Sequence, residues 1–418
     1  MQKKKRRDLR LLFNTNAPHS NSGYAVEMRD VLYRLVADGW PVAVSAFYGV
    51  QGAPIYIEYP ETLNPKLKGI KLWHYPQMGD QYGADGMIHH AIDFKANAVF
   101  SMQDIWTLDP QFLSKLKVWI PWLPIDKSPA PQGVTEKLKY AYKILVFSKF
   151  GQQELEKADY ISTLIYEGTD LEIFKPMDDQ KEARKQLGLP LDIFLFGMIG
   201  ANKENPPRKG YQEAIDAFNI FLQKHPESAL LFHIQQRDPR GFPVKEYANY
   251  LGIGDRVFFI ADYLAMFNSS SDKIMKEYNA MDVLLHPSQT EGFGLCIIEA
   301  QACGKPVIIQ KGQSMPELII EGKTGFGAET LHKRVAPDVS YVYVANPQSV
   351  YECMEKVYQL IKTNKEQVAK DCREWVMQNY NIDTLVETAW IPLLESLQLE
   401  LLPLTNTKED STIQVARK

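Results

Sequence analysis

Short apolar runs alternate along most of this chain with segments whose apolar residues recur at helical spacing. In the first half, 9–13, 42–47, 70–73, 98–102, 117–122, 144–147 and 161–166 read as strands. The segments 24–36 and those near 87–95, 109–116, 134–142 and 149–158 read as helices between them. A second series begins at strand 194–198, with a long loop over 199–209 and a helix over 211–222. That helix carries Ala214, Ile215, Phe218 and Phe221 on one face. Strands at 229–234, 257–260, 283–285 and 306–309 follow, with helices near 244–251 and 272–280 and another over 295–302. Strand–helix alternation of this kind predicts parallel, doubly wound sheets. The rhythm breaks at Tyr166-Glu167-Gly168-Thr169-Asp170 and Phe174-Lys175-Pro176, a crossover between the two series. The polar stretch 328–343 has no assignment. Segments 348–363, 365–379 and 384–401 are helical, and 404–418 is polar and expected to be disordered. The predicted domains are therefore 1–175, 176–380 and a terminal helix over 381–403, followed by the tail.

A length of 418 residues suits two or three domains with sizeable cores. Apolar and charged contents of 45% and 23% are ordinary for a soluble chain, and a net charge of −4 provides no field to gather nucleic acid. Only Lys3-Lys4-Lys5-Arg6-Arg7 is strongly basic. It is either a solvated terminal arm or a contact for anionic lipid or nucleic acid. The cysteines at 296, 303, 353 and 372 have no metal-ligand spacing and read as reduced, buried thiols. With no signal peptide and no apolar run long enough to span a bilayer, the expected location is the cytoplasm, at most peripheral to a membrane.

The most informative stretch is His286-Pro287-Ser288-Gln289-Thr290-Glu291-Gly292-Phe293-Gly294-Leu295-Cys296-Ile297-Ile298-Glu299. It joins a buried strand to a helix, and ligands of such units bind beyond the carboxyl ends of the strands. Two glycines allow close backbone approach, and the unpaired N–H groups at a helix start favour an anion. Glu291 and Glu299 lie roughly two helical turns apart, and carboxylates accept from sugar hydroxyls. The loop thus fits a phosphorylated sugar. Taken singly, Glu299 could equally be an exposed helix acid, the glycines a plain turn, and His286 a satisfied core histidine.

As a whole, the string resembles the Glu-x7-Glu signature of the retaining GT-B glycosyltransferases of family 4, with its usual "PSxxEGFGxxxxEAxAxGxPVI" setting. The crossover at Gly168 to Pro176 is similar to that family's interdomain segment, with Glu167 and Thr169 as departures. The resemblance covers about residues 8–400 and implies two Rossmann-like domains facing across a cleft, with the terminal helix packed back on the first. It further implies transfer of a hexosyl unit from a nucleoside-diphosphate sugar to an acceptor hydroxyl. Glu299 would hold the ribose, Glu291 and the amides of Gly292, Phe293 and Gly294 the sugar, and Arg208 with Lys209 the diphosphate. The leaving phosphate would deprotonate the acceptor in a same-face displacement.

Loss of a nucleoside diphosphate requires stabilisation of growing negative charge, by a metal or by fixed cations and amides. The chain has no Asp-x-Asp, no His-x-x-x-His and no cysteine cluster, so metal-free transfer without a cofactor is expected. Arg208-Lys209-Gly210 closes the loop after strand 194–198 and matches the family's Arg…Lys-Gly clamp, although many members place the Arg where this chain has Asn202. Ser22-Gly23-Tyr24 opens the first helix and could offer amides to the donor phosphates or the acceptor; an ordinary turn is the alternative. The family's acceptor-side histidine is missing at Ser101-Met102-Gln103-Asp104, leaving Asp104 as an acceptor contact or a cap. The acceptor could be a glycan, lipid or small molecule, with nucleic acid a further option. The phosphate-loop ending Gly322-Lys323-Thr324 fails because Glu317 stands where a glycine is required. The rival readings are a nucleotide-sugar epimerase and a non-catalytic sugar-nucleotide or glycan-binding protein.

Overall fold

The computed structural model describes residues 6–261 and 270–402. The chain divides into two compact units. One comprises the chain to Ile125, Ala130–Asp170 and everything from Ile382 on; the other comprises Asp126–Pro129 and Leu171–Asn381. The division thus falls at Asp170/Leu171 rather than at 175, and the predicted tail lies outside the described residues.

The first unit is built on an eight-stranded sheet. Its strands are β1 (Leu11–Asn16), β2 (Val42–Phe47), β3 (Ile55–Glu58), β4 (Lys71–Tyr75), β5 (Ala98–Met102), β6 (Trp119–Leu123), β7 (Leu145–Val146) and β8 (Thr163–Leu164). They lie in the order β3-β4-β2-β1-β5-β6-β7-β8. All neighbours are parallel except β3, which joins the edge antiparallel to β4. The predicted strand 161–166 shrinks to the two residues of β8, because Ile161 is 95% exposed and finds no apolar cover. β1 and β2 are buried throughout, as expected for strands covered on both faces. Gly39 ends the first helix in the left-handed conformation (φ 101°), its amide returning to Leu35 and Val36.

The last described segment belongs to this unit. Ile382–Leu385, a π turn over Val386–Trp390 and the helix Ile391–Leu401 run in succession. Trp390 is fully buried, edge-on to Trp122 at 4.9 Å and tilted against Phe13 and Phe100 at 6.1 and 6.0 Å. Arg34 on the first helix binds Asp170 at 2.8 Å and Asp383 at 2.6 Å, tying both ends of the unit to one side chain. Of the basic start, Arg7 is not a free arm residue. It pairs with Glu395 (2.6 Å) and Asp38 (2.9 Å) and lies over Trp40, while Lys3, Lys4 and Lys5 fall outside the described residues. No helix among those residues is long and apolar enough to cross a membrane.

The second unit holds a six-stranded parallel sheet and a two-stranded hairpin. The sheet contains β9 (Phe194–Ile199), β10 (Ser228–His233), β11 (Val257–Phe259), β12 (Val283–His286), β13 (Val307–Gln310) and β14 (Gly325–Ala328), in the order β11-β10-β9-β12-β13-β14. Phe196, Phe218, Phe221, Leu230 and Met354 lie in its main core. The stretch without an assignment is an antiparallel hairpin, β15 (Thr330–Val335) and β16 (Tyr341–Ala345). The helices expected at 348–363 and 365–379 form one helix, Pro347–Asn379, broken where Asn364 leaves helical geometry (φ −145°, ψ 46°).

Replacing Trp390 with alanine is expected to remove about 3–5 kcal/mol of stability, because a large buried ring leaves a cavity. A lower denaturant midpoint would show this; an unchanged one would mean that the terminal segment contributes no packing.

Candidate active site

The strand order of the second unit fixes where a ligand can bind. From β9 the chain builds outward through β10 and β11, then returns to place β12 on the other side of β9. The crevice beyond the carboxyl ends of such a switch point is the general ligand position in open α/β sheets. The two loops leaving it are 200–210 after β9 and 287–294 after β12.

These loops are joined along their length. The Gln289 amide donates to the Arg208 carbonyl at 2.7 Å, and Arg208 Nη1 donates to the Thr290 carbonyl at 2.6 Å. Gly210 sits in the left-handed region (φ 71°), and a Cβ there would lie 2.2 Å from the Pro287 carbonyl oxygen. Only glycine permits that approach, and it places Lys209 beside the signature.

Glu291, Lys209 and Arg208 converge. Lys209 Nζ lies 2.6 Å from Glu291 Oε1, and Arg208 Nη1 lies 3.8 Å from Oε2. His286 Nε2 also reaches Oε1, at 2.9 Å. Burial alone would push the Glu291 carboxyl up, but Lys209, His286 and Arg208 outweigh it and hold the group well below the usual carboxylate range. Burial pushes His286 down, and Lys209 and Arg208 act the same way, favouring the neutral imidazole against the opposing pull of Glu291. Arg208 also faces Glu204 at 3.3 Å, and its side chain is 35% exposed against 16% for Lys209.

Glu299 lies on the helix Leu295–Ala302, which Gly294 opens at φ 120°. The buried Tyr278 hydroxyl lies 2.7 Å from Glu299 Oε2 and donates to it; burial, then the Glu299 charge, push that phenol well above its ordinary value. Ser314 Oγ holds the signature loop by donating to the carbonyls of Glu291 and Phe293, both at 2.9 Å. The Phe293 ring is buried edge-on to Tyr380. Its side chain anchors the loop, and only its backbone amide is a candidate for ligand contact.

Two side chains escaped the sequence analysis. Gln289 is buried with every hydrogen-bonding group engaged. Besides its amide, Nε2 donates to Pro207 at 3.3 Å, and its carbonyl accepts from Tyr343 and Gln313 at 3.1 Å each. Its Oε1 accepts from Arg334 Nη2 of β15 at 2.9 Å. The hairpin therefore braces the signature loop. Asn202, where many family members place an arginine, is 1% exposed and spans Phe242 through its carbonyl and amide at 2.9 and 2.8 Å. It is a structural residue.

In the first unit, Ser22, Gly23 and Asp104 occupy the corresponding switch point, between β1 and β5. Ser22 Oγ accepts from the Ala25 amide as the helix cap and from Asn16 Nδ2, so its side chain is committed to the turn. Asp104 is exposed and accepts from Tyr24 at 3.1 Å. Its carboxylate forms no cap bond to the following turn, so capping is not its role.

The fold is that of the GT-B glycosyltransferases. A sucrose-phosphate synthase from Thermosynechococcus elongatus superposes with TM-score 0.66 at 19% identity, over 96% of this chain and 100% of that one. The Anabaena protein HepE, in complex with UDP and glucose, gives 0.63 at 19%, over 94% and 100%. Residues 179–336, within the second unit, match the family model "Glycosyl transferases group 1". D-inositol 3-phosphate glycosyltransferase of Acidothermus cellulolyticus is 30% identical over 165 residues, 38% of this chain and 35% of that protein. The chain thus spans about a third of the length of the curated relatives it matches.

Glu291 has a depressed folded pKa, so its ionic contribution is complete above the ordinary carboxylate range and disappears as pH falls through the lower folded value. Glu291→Gln is expected to destabilise the protein at neutral pH by about 3 kcal/mol, by leaving Lys209 unpaired. Denaturation curves should show the gap closing in acid; a constant gap would disprove the ion-pair origin. Arg334→Ala is expected to loosen the signature loop, read as faster amide exchange at 289–292 than in the parent.

Proposed function

We propose that this protein is a retaining glycosyltransferase that moves a hexosyl unit from a nucleoside-diphosphate sugar to an acceptor hydroxyl without a metal. The observation that carries this is the meeting of Glu291, Lys209 and Arg208 at the switch point of a group 1 glycosyltransferase domain. Breaking the sugar–phosphate bond leaves a diphosphate with growing negative charge. Lys209 and Arg208 are fixed cations within reach of the helix that Gly294 opens, whose first amides point the same favourable dipole at an anion. That combination supplies the charge stabilisation a metal would otherwise give.

In this reading Lys209 exchanges part of its contact with Glu291 for phosphate oxygens when the donor arrives. Glu291 accepts from sugar hydroxyls, the Gly292, Phe293 and Gly294 amides hold the sugar or phosphate, and Glu299, oriented by Tyr278, accepts from the ribose. The departing phosphate takes the acceptor's proton. Within the first unit, Asp104 and the Gly23 amide are the groups we propose for contact with substrate. UDP-bound and inositol-phosphate-named relatives support a nucleotide-sugar donor and a polar, hydroxyl-bearing acceptor.

The test is a thermal-shift screen with UDP, GDP, ADP and their glucose conjugates, with chelator present. One nucleotide series should raise the melting temperature. Lys209→Ala should abolish that rise, and Glu291→Ala should remove the difference between nucleotide and nucleotide sugar. No shift with any series, or a shift indifferent to Lys209, would refute the assignment. NMR of the donor without acceptor should show no interconversion of sugars; epimerisation would identify a different enzyme.

A further inference from the structure

His286 takes no part in the donor contacts just described, yet it is 2% exposed and pressed against the central carboxylate. Its Nε2 lies 2.9 Å from Glu291 Oε1, and a carboxylate can only accept, so Nε2 carries the hydrogen. Nδ1 is then a bare lone pair in a buried site and needs a donor. The sulfur of Cys296, the second residue of the following helix, lies 3.4 Å from Nδ1 and 3.9 Å from Nε2. A thiol is a weak donor, but here it faces the one imidazole atom able to accept.

We propose that Cys296 and His286 are positioning residues for Glu291: the Cys296 thiol fixes His286 in its Nε2–H tautomer, and that N–H orients the carboxylate. The assignment rests on the glycosyltransferase reading for its consequence, orientation of Glu291 toward sugar hydroxyls, but not for its chemistry. The charged and titratable groups around the pair are Glu291, Lys209 and Arg208 beside the imidazole, with Glu299, Tyr278 and Tyr211 close to the thiol or to Glu291. Burial pushes the thiol up, which favours its protonated, donating form. A charged imidazolium would bind Glu291 as a third cation and compete with the sugar. A bare Nε2 would repel the carboxylate. The neutral Nε2–H form alone holds Oε1 without adding charge, and the Cys296 hydrogen bond selects it.

The closing experiment records long-range proton–nitrogen spectra of the full chain carrying nitrogen-15 histidine, from about pH 5 to 8, the window of ordinary imidazole titration. The parent and Cys296→Ser, which keeps a donor, should show His286 neutral and Nε2-protonated throughout. Cys296→Ala should admit the Nδ1–H tautomer or titrate within the window. A parent His286 that is Nδ1-protonated or cationic at neutral pH overturns the proposal, as does a Cys296→Ala spectrum identical to the parent. Calorimetry with UDP and UDP-glucose then tests positioning. Cys296→Ala should weaken UDP-glucose relative to UDP by about fivefold, the worth of one ordinary hydrogen bond, with Cys296→Ser restoring it. Equal weakening of both ligands would mark general loosening and overturn the positioning role. If neither ligand binds the parent, the UDP donor assignment fails while the spectra still decide the tautomer.

Discussion

A carboxylate buried at a sheet switch point must be neutralised where it stands, because desolvating a charge costs several kcal/mol even after relaxation. Glu291 meets this constraint with the Lys209 charge from one loop and a hydrogen bond from the His286 N–H at the end of β12. The partners come from opposite sides of the switch point, so neither loop can move without exposing an unpaired charge. Much of the surrounding detail follows from that coupling. Gly210 must be glycine for the loops to touch, Arg208 gives its carbonyl to Gln289 and its guanidinium to Thr290, and Ser314 secures the carbonyls on either side of Gly292. The site is organised before any ligand arrives, which is the condition for electrostatic stabilisation without reorganisation.

Legibility in the sequence followed the range of the interactions. Parallel strands buried on both faces produce continuous apolar runs, so β2, β5 and the strands near the signature appear in sequence within a residue or two of their observed limits. The break at Asn364 was equally visible, since Thr363 and Asn364 interrupt an otherwise helical pattern. Antiparallel edge pieces were not. β3 is mostly exposed and the β15–β16 hairpin is polar with scattered apolar residues, so neither has a clean period. Both are specified by the strand or loop they join rather than by their own pattern.

The same rule separates the site residues. Glu291, Glu299 and the glycines share one local string and could be seen together; Lys209 was reached through its own Lys-Gly motif. Gln289 lay in plain view inside the signature, but its role depends on Arg334, 45 residues away. Asn202 read as a displaced clamp position, yet its side chain closes the loop before Phe242. Arg7 looked like part of a basic arm until Glu395, from the far end of the chain, was placed beside it. In each case the role of a polar residue was hidden because its partner is remote in sequence.

The charge balance of the site constrains how an anion could be held. Lys209 and Arg208 are the cations, but Glu291 faces both and Glu204 faces Arg208. Both cations are therefore paired, and the two loops do not present a naked positive patch. A diphosphate would bind by exchanging partners. Glu204, 54% exposed, can swing into water at little cost, whereas the buried Glu291 cannot and must be repaid by hydroxyl donors. A nucleotide sugar supplies both the phosphate oxygens that relieve Lys209 and the hydroxyls that satisfy Glu291. A bare anion supplies only the first. Under the proposed function, the burial of this single carboxylate is what would favour the whole donor over a bare anion.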